Sequence, residues 1–103
     1  MNLRPPEVIQ KFESHPIGGG SFATAEVIVK YFNPYGTGTW LITEAEKQED
    51  GDWLLFGLCH IFEWEWGYVL LSELEEVSLR GMPGIIEIDQ HFPEGMKVRD
   101  LKL

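Results

Sequence analysis

WLLFGLCHIFEWEWGYVLL, Trp53 to Leu71, is nineteen residues long and carries only two formal charges, Glu63 and Glu65. Such a run is long enough to span a bilayer, but each glutamate would cost about 2.5–3.5 kcal/mol near the bilayer centre. A transmembrane helix is therefore rejected, and the run divides at its charged middle. WLLFGLCHI (Trp53–Ile61) reads as a near-continuous apolar strand suited to the centre of a sheet. GYVLL (Gly67–Leu71) reads as the next strand, with a hairpin turn near Phe62–Glu65 that exposes Trp64 at its tip and leaves Trp66 covered.

Working outward, KQEDGD (Lys47–Asp52) contains Asp50-Gly51, a strong local hairpin signal. TWLITE (Thr39–Glu44) places Trp40 and Ile42 opposite Leu41 and Thr43 on another strand, and NPYGTG (Asn33–Gly38) is the turn before it. SFATAEVIVKYF (Ser21–Phe32) alternates Val27, Val29 and Tyr31 against Glu26, Ile28, Lys30 and Phe32, a first strand. RPPEVIQKFES (Arg4–Ser14) predicts a short helix with Pro6 in its first turn and Val8, Ile9 and Phe12 on one face. HPIGGG (His15–Gly20) ends it as a linker, since a glycine triplet without the lysine and hydroxyl of a phosphate-binding loop signals only backbone freedom.

Beyond Leu71, SELEEV (Ser72–Val77) has the capping-box spacing of Ser72 and Glu75 and predicts a short helix over 72–78, with Leu74 and Val77 inward and Glu73, Glu75 and Glu76 in water. RGMPG (Arg80–Gly84) stops it, IIEIDQHF (Ile85–Phe92) alternates as a half-buried last strand, and PEGMKVRDLKL (Pro93–Leu103) is a turn with a short extended or frayed end. The expectation is one α+β domain over residues 1–103: a helix and Gly-rich linker over 1–20, then over 21–103 one curved, mainly antiparallel sheet of four to five strands with a short helix before the last strand.

Composition narrows the function. The 103 residues are 44% hydrophobic and 13% aromatic, enough for one folded core. A single cysteine, Cys59, excludes an internal disulfide, and no leader pattern opens the chain, so the cytoplasm is the expected compartment. Cys59, within the apolar strand, reads as a small core hydrophobe and not a nucleophile, and His15 and His60 as structural histidines. The net charge of −9 is regional: Glu44 to Glu76 holds ten acids against Lys47 alone, while the rest of the chain balances. Such a field repels nucleic acid and attracts basic protein surfaces, so the expected partner is a protein with a basic surface and not DNA, RNA or a membrane.

The motifs KYFNPYGTGTWLITE (Lys30–Glu44), DWLLFG (Asp52–Gly57), EWGYVLLSELEEV (Glu65–Val77) and IIEIDQHF occur in that order over about three quarters of the chain. In them the chain resembles a family of small uncharacterised proteins, a domain of unknown function common on bacterial plasmids and other mobile elements. Residues 1–26 lie outside the resemblance, and it implies no catalytic residues.

Two readings of function follow. In the first, Glu63, Trp64, Glu65, Glu73, Glu75 and Glu76 form a binding surface with tryptophan as anchor and glutamates as rim. A mobile-element accessory protein of this kind acts by macromolecular binding, and its most concrete form is an acidic inhibitor imitating nucleic acid against a restriction or CRISPR-type defence enzyme. In the alternative, Glu87, Asp89 and His91 on one strand face, with Glu44 or Glu65 from a neighbour, hold a divalent metal in a small hydrolase or nuclease. The first is preferred, so no enzyme activity and no cofactor are assigned.

Overall fold

In the computed structural model, which describes residues 1–19 and 22–103, the long apolar run becomes two strands. Gly20 of the glycine triplet and Ser21, the first residue of the expected first strand, lie outside the described residues. Among the described residues no helix is long and apolar enough to cross a membrane. The elements are α1 (Pro6–Ser14), β1 (Val29–Phe32), β2 (Thr39–Lys47), β3 (Trp53–His60), β4 (Trp64–Leu70), α2 (Leu71–Glu76), a small hairpin of β5 (Ser78–Leu79) and β6 (Met82–Pro83), and β7 (Glu87–Ile88). An open antiparallel sheet runs in the order β4-β3-β2-β1-β7, which makes the protein the single α+β domain that the sequence predicts.

One face of this sheet carries the main core. Val8 and Phe12 of α1 and Leu71 and Leu74 of α2 pack on Tyr31, Ile42 and Leu55, and the Phe12 ring meets Trp53 at 5.2 Å between centroids. Tyr31 is wholly buried, and burial, the largest influence on its phenol, pushes its pKa upward. Its hydroxyl donates to the Leu3 carbonyl at 2.7 Å, tying the chain before α1 to the sheet. Tyr31→Phe leaves that carbonyl without this donor and is expected to cost about 1–2 kcal/mol, read as a lower urea midpoint at unchanged slope.

The second face is set by an irregularity in β2. Strict alternation through TWLITEAEK would send Glu44 and Glu46 to the side of Trp40 and Ile42, into the core. Instead the β2–β3 register shifts between Ile42 and Glu44: Ile42 pairs with Gly57, Glu44 with Phe56 and Ala45 with Leu55. Thr43 is the extra residue, so the parity of β2 inverts after it, as a one-residue slip requires. Ala45 enters the core and Glu44 joins the opposite face. The close approach is possible because position 57 has no side chain: a Cβ there would sit 2.0 Å from the Leu41 carbonyl oxygen.

Other expectations are corrected in detail. The first strand begins at Val29, not near Ser21, because residues 23–27 pair instead with the C-terminal segment: Val27 N–H donates to Met96 O at 2.8 Å, Val98 N–H to Ala25 O and Arg99 N–H to Ala23 O. Val27 accordingly leaves the core for the second face, while Ile28 and Val29 both enter it. The tail, expected as a turn with a short extended or frayed end, is paired at residues 96–99 and contains a 3-10 turn at Val98–Asp100. The linker after α1 is also engaged: Pro16 bridges Ala45, and Gly18 N–H donates to a Glu44 carboxylate oxygen at 3.2 Å.

The helix expected over 72–78 spans Leu71–Glu76, with Leu70 as its N-cap residue in place of Ser72. The Glu73 carboxylate, not that of Glu75, reaches back to accept from Leu70 N–H at 2.9 Å. Ser72 serves another purpose: its hydroxyl donates to Asp52 at 2.6 Å and its N–H at 3.1 Å. Asp52, at the β2–β3 turn, thereby anchors the start of α2 to the start of β3, where it also accepts from Trp53 N–H at 2.8 Å.

Candidate binding surface

Side chains alternate across β3 and β4, so Leu54, Phe56 and Leu58 of one strand meet Leu70, Tyr68 and Trp66 of the other on the second face. Part of that face is closed: Phe92, Val98 and Leu101 cover Leu41 and Leu58 together with Trp64 and Trp66. Beyond this cover the face is aromatic. Phe56 stacks on Trp66 at 5.6 Å and 18° and meets Tyr68 at 4.8 Å, while Phe22 reaches Trp66 at 5.0 Å. Phe22 and Tyr68 remain 59% and 61% exposed at the rim of the group. Aromatic pairs across strands stabilise the sheet, and here the same contacts hold two open rings in place.

Glutamates border this surface. Glu46 lies on the same face and is exposed, Glu63 is exposed in the β3–β4 turn, and Glu65 is exposed on β4 with its side chain on the opposite face. A cavity of about 230 Å³ reaches from Trp40 of β2 and Cys59 of β3 to the β3–β4 turn and residues 65–69 of β4. At the turn the exposed anchor is Phe62, 95% accessible, with Ile61 at 43%. The placement of Trp64 at the hairpin tip is thus corrected: β4 already begins at Trp64, which is half-buried, its ring 5.0 Å from that of His60 and packed against the cluster of Val27, Leu41 and Leu58. Tyr68, two residues beyond Trp66 on the same face, is the open ring of this strand.

The acids of α2 divide. Glu76 is exposed, Glu73 is tied to Leu70 N–H, and Glu75 makes a two-point bond to Arg4 at 2.7 and 2.9 Å, so it does not simply face water as expected. The Glu75 hydrogen bond is the largest influence on the Arg4 guanidinium and raises its pKa. Asp52 stands near the same group, 3.8 Å from Arg4 Nη2. Burial by itself pushes the Asp52 carboxyl up, but the Ser72 hydroxyl and the Trp53 and Ser72 amides outweigh it and hold the pKa below its usual value.

The alternative metal set is dispersed. The last strand stops at Ile88 because Asp89 turns the chain, its carboxylate accepting from His91 N–H at 2.9 Å. Glu87 lies in β7, Asp89 faces Lys30 at 3.4 Å, and His91 is exposed in the turn, off the strand face expected for it. Glu44 is nearly buried and engaged by Gly18. Among the described residues no group of three His, Cys, Asp or Glu side chains is close enough to hold a metal ion. Burial pushes the Cys59 thiol up to about 11, which leaves it protonated and a poor nucleophile at neutral pH. His15 is held by the Lys11 carbonyl at 2.9 Å, a structural contact.

Together these features define a small α+β domain with an open sheet whose outer half presents aromatic rings among glutamates. The chain belongs to the family described as "Protein of unknown function (DUF2958)", which matches residues 21–100. No curated protein and no solved structure matches it.

Proposed function

We propose that this protein acts by binding another protein through the acidic and aromatic surface around β4. The observation that carries this reading is the pair of open rings, Phe22 and Tyr68, held on Phe56 and Trp66, with the exposed acid Glu46 on the same face, Glu63 exposed in the adjoining turn and Glu65 exposed on the other side of β4. Desolvated aromatic rings supply affinity, and a charged rim steers and selects the partner. A net charge of −9 selects a basic surface, which Tyr68 and Trp66 can also meet through cation–π contacts.

In the setting implied by the resemblance, a plasmid or other mobile element, the concrete form is an accessory protein that occupies the basic nucleic-acid groove of a restriction or CRISPR-type defence enzyme. Such an enzyme would be met in the cytoplasm. The test is capture of a nucleic-acid-handling partner on the immobilised protein at low and high salt, with Tyr68→Ala and with Glu46, Glu63 and Glu65 all changed to Gln. The expected partner is retained at low salt, released at high salt and lost with both variants. Equal retention by the wild type and both variants, independent of salt, sinks the reading.

A further inference from the structure

β4 ends the sheet, and among the described residues no strand pairs with its outer side. One hydrogen bond reveals which of its backbone groups face outward: Leu70 N–H turns away from β3 to the Glu73 carboxylate. Outward and inward residues alternate along an antiparallel strand. The register runs without a bulge from Leu54↔Leu70 to His60↔Trp64. The N–H and C=O of Tyr68, Trp66 and Trp64 therefore also point outward. These are the residues whose side chains lie on the aromatic face, whereas Glu65, Gly67 and Val69 between them lie on the other face.

The outer edge of β4 thus presents three things in register: backbone groups unpaired among the described residues, an aromatic row on one side and a glutamate on the other. Natural sheets usually blunt a long edge by twisting, covering or charging it. Here Glu65 on the strand and Glu63 beside it supply charge. We propose that this edge receives an extended segment of a basic partner as an added antiparallel strand. Its residues alternate, with arginine or lysine meeting Glu65 on one face and apolar side chains lying against Trp66 and Tyr68 on the other. A second copy of this chain is the poorer occupant, because it would bring two chains of −9 together and set their Glu63 and Glu65 side chains along one ladder. The inference deepens the binding reading above and rests on it.

The probe is a short synthetic peptide of alternating arginine and valine, tested as the parent and in two methylated forms. In an antiparallel added strand the valines opposite Trp66 and Tyr68 exchange both backbone hydrogen bonds with them. N-methylation of the valines is therefore expected to weaken binding at least about tenfold, and N-methylation of the arginines to leave it unchanged. Affinity is read by fluorescence anisotropy of the labelled peptide. The amides of Trp66 and Tyr68 should exchange rapidly with solvent in the free protein and become protected when the parent peptide binds.

Equal binding of all three peptides, lost only in Glu65→Gln or at high salt, overturns strand addition while the charge-based binding reading stands. Amides of Trp66 and Tyr68 already protected in the free protein overturn it as well, whatever the partner capture shows. Failure of the parent peptide to bind overturns it too, and a partner still captured with the salt and variant dependence given above leaves the broader reading intact.

Discussion

Gly57→Ala is expected to destabilise the domain by about 3 kcal/mol, a large part of the roughly 5–15 kcal/mol that holds a domain of this size. The new Cβ would lie 2.0 Å from the Leu41 carbonyl oxygen and 2.8 Å from Ile42 Cα, both backbone atoms of β2. A flexible side chain could swing aside, but this backbone is fixed by pairing on both sides, with β1 and with β3. It also lies immediately before the bulge that turns Glu44 out of the core, so a shift here disturbs the parity of the whole strand. Gly67, directly opposite on β4, is the control: nothing lies within 4 Å of a Cβ there, and alanine at that position should change stability by less than about 0.5 kcal/mol. Urea unfolding of the two variants checks the contrast, and near-equal midpoints would show that the bulge relaxes.

Asp52→Ala is expected to cost about 2–3 kcal/mol, since it removes an ionised acceptor from the Ser72 hydroxyl and from two backbone amides at once. The carboxylate also sits at the N-terminus of α2, where negative charge is favoured. Its pKa is lowered by folding from the ordinary 3.8. The stability it contributes is accordingly present above pH about 4 and is lost as the pH falls through the lower folded value. Thermal unfolding followed from neutral to acid pH should show this loss in the wild type and a shallower one in Asp52→Ala. Parallel curves would contradict this account of Asp52.

Much of this architecture is legible in the residues themselves. Pro6 and the spacing of Val8 and Phe12 mark α1, Asp50-Gly51 marks the β2–β3 turn, and the two charges in the long apolar run mark where it folds back. What escaped the sequence depends on partners far along the chain. Nothing in TWLITEAEK announces that Thr43 is an extra residue, because the reason lies on the neighbouring strand at Gly57, opposite Ile42. Trp64 packs on a cluster built from Val27, Leu41 and Leu58, and Glu75 is committed to Arg4, 71 positions away. The acidic segment of the proposed binding surface is plain from composition, but which of its acids are engaged is decided by these distant contacts. The open aromatic ring was hidden by its resemblance to core: Tyr68 follows Trp66 at the spacing of a buried strand face, and only the extent of the C-terminal cover shows where burial ends.

That cover has a consequence for the order in which the domain can be completed during synthesis. Domains emerge N-terminus first, and a contact forms only when both of its segments have left the ribosome. The sheet from β1 to β4 and most of the core beneath α1 and α2 are available once residue 76 is out, with Ile86 of that core and β7 still to follow. Residues 23–27 and the apolar side chains of Leu41 and Leu58 must wait for Met96, Val98 and Leu101. A nascent chain paused between these points holds a nearly finished sheet with one greasy flank bare, the state in which a chaperone would meet it.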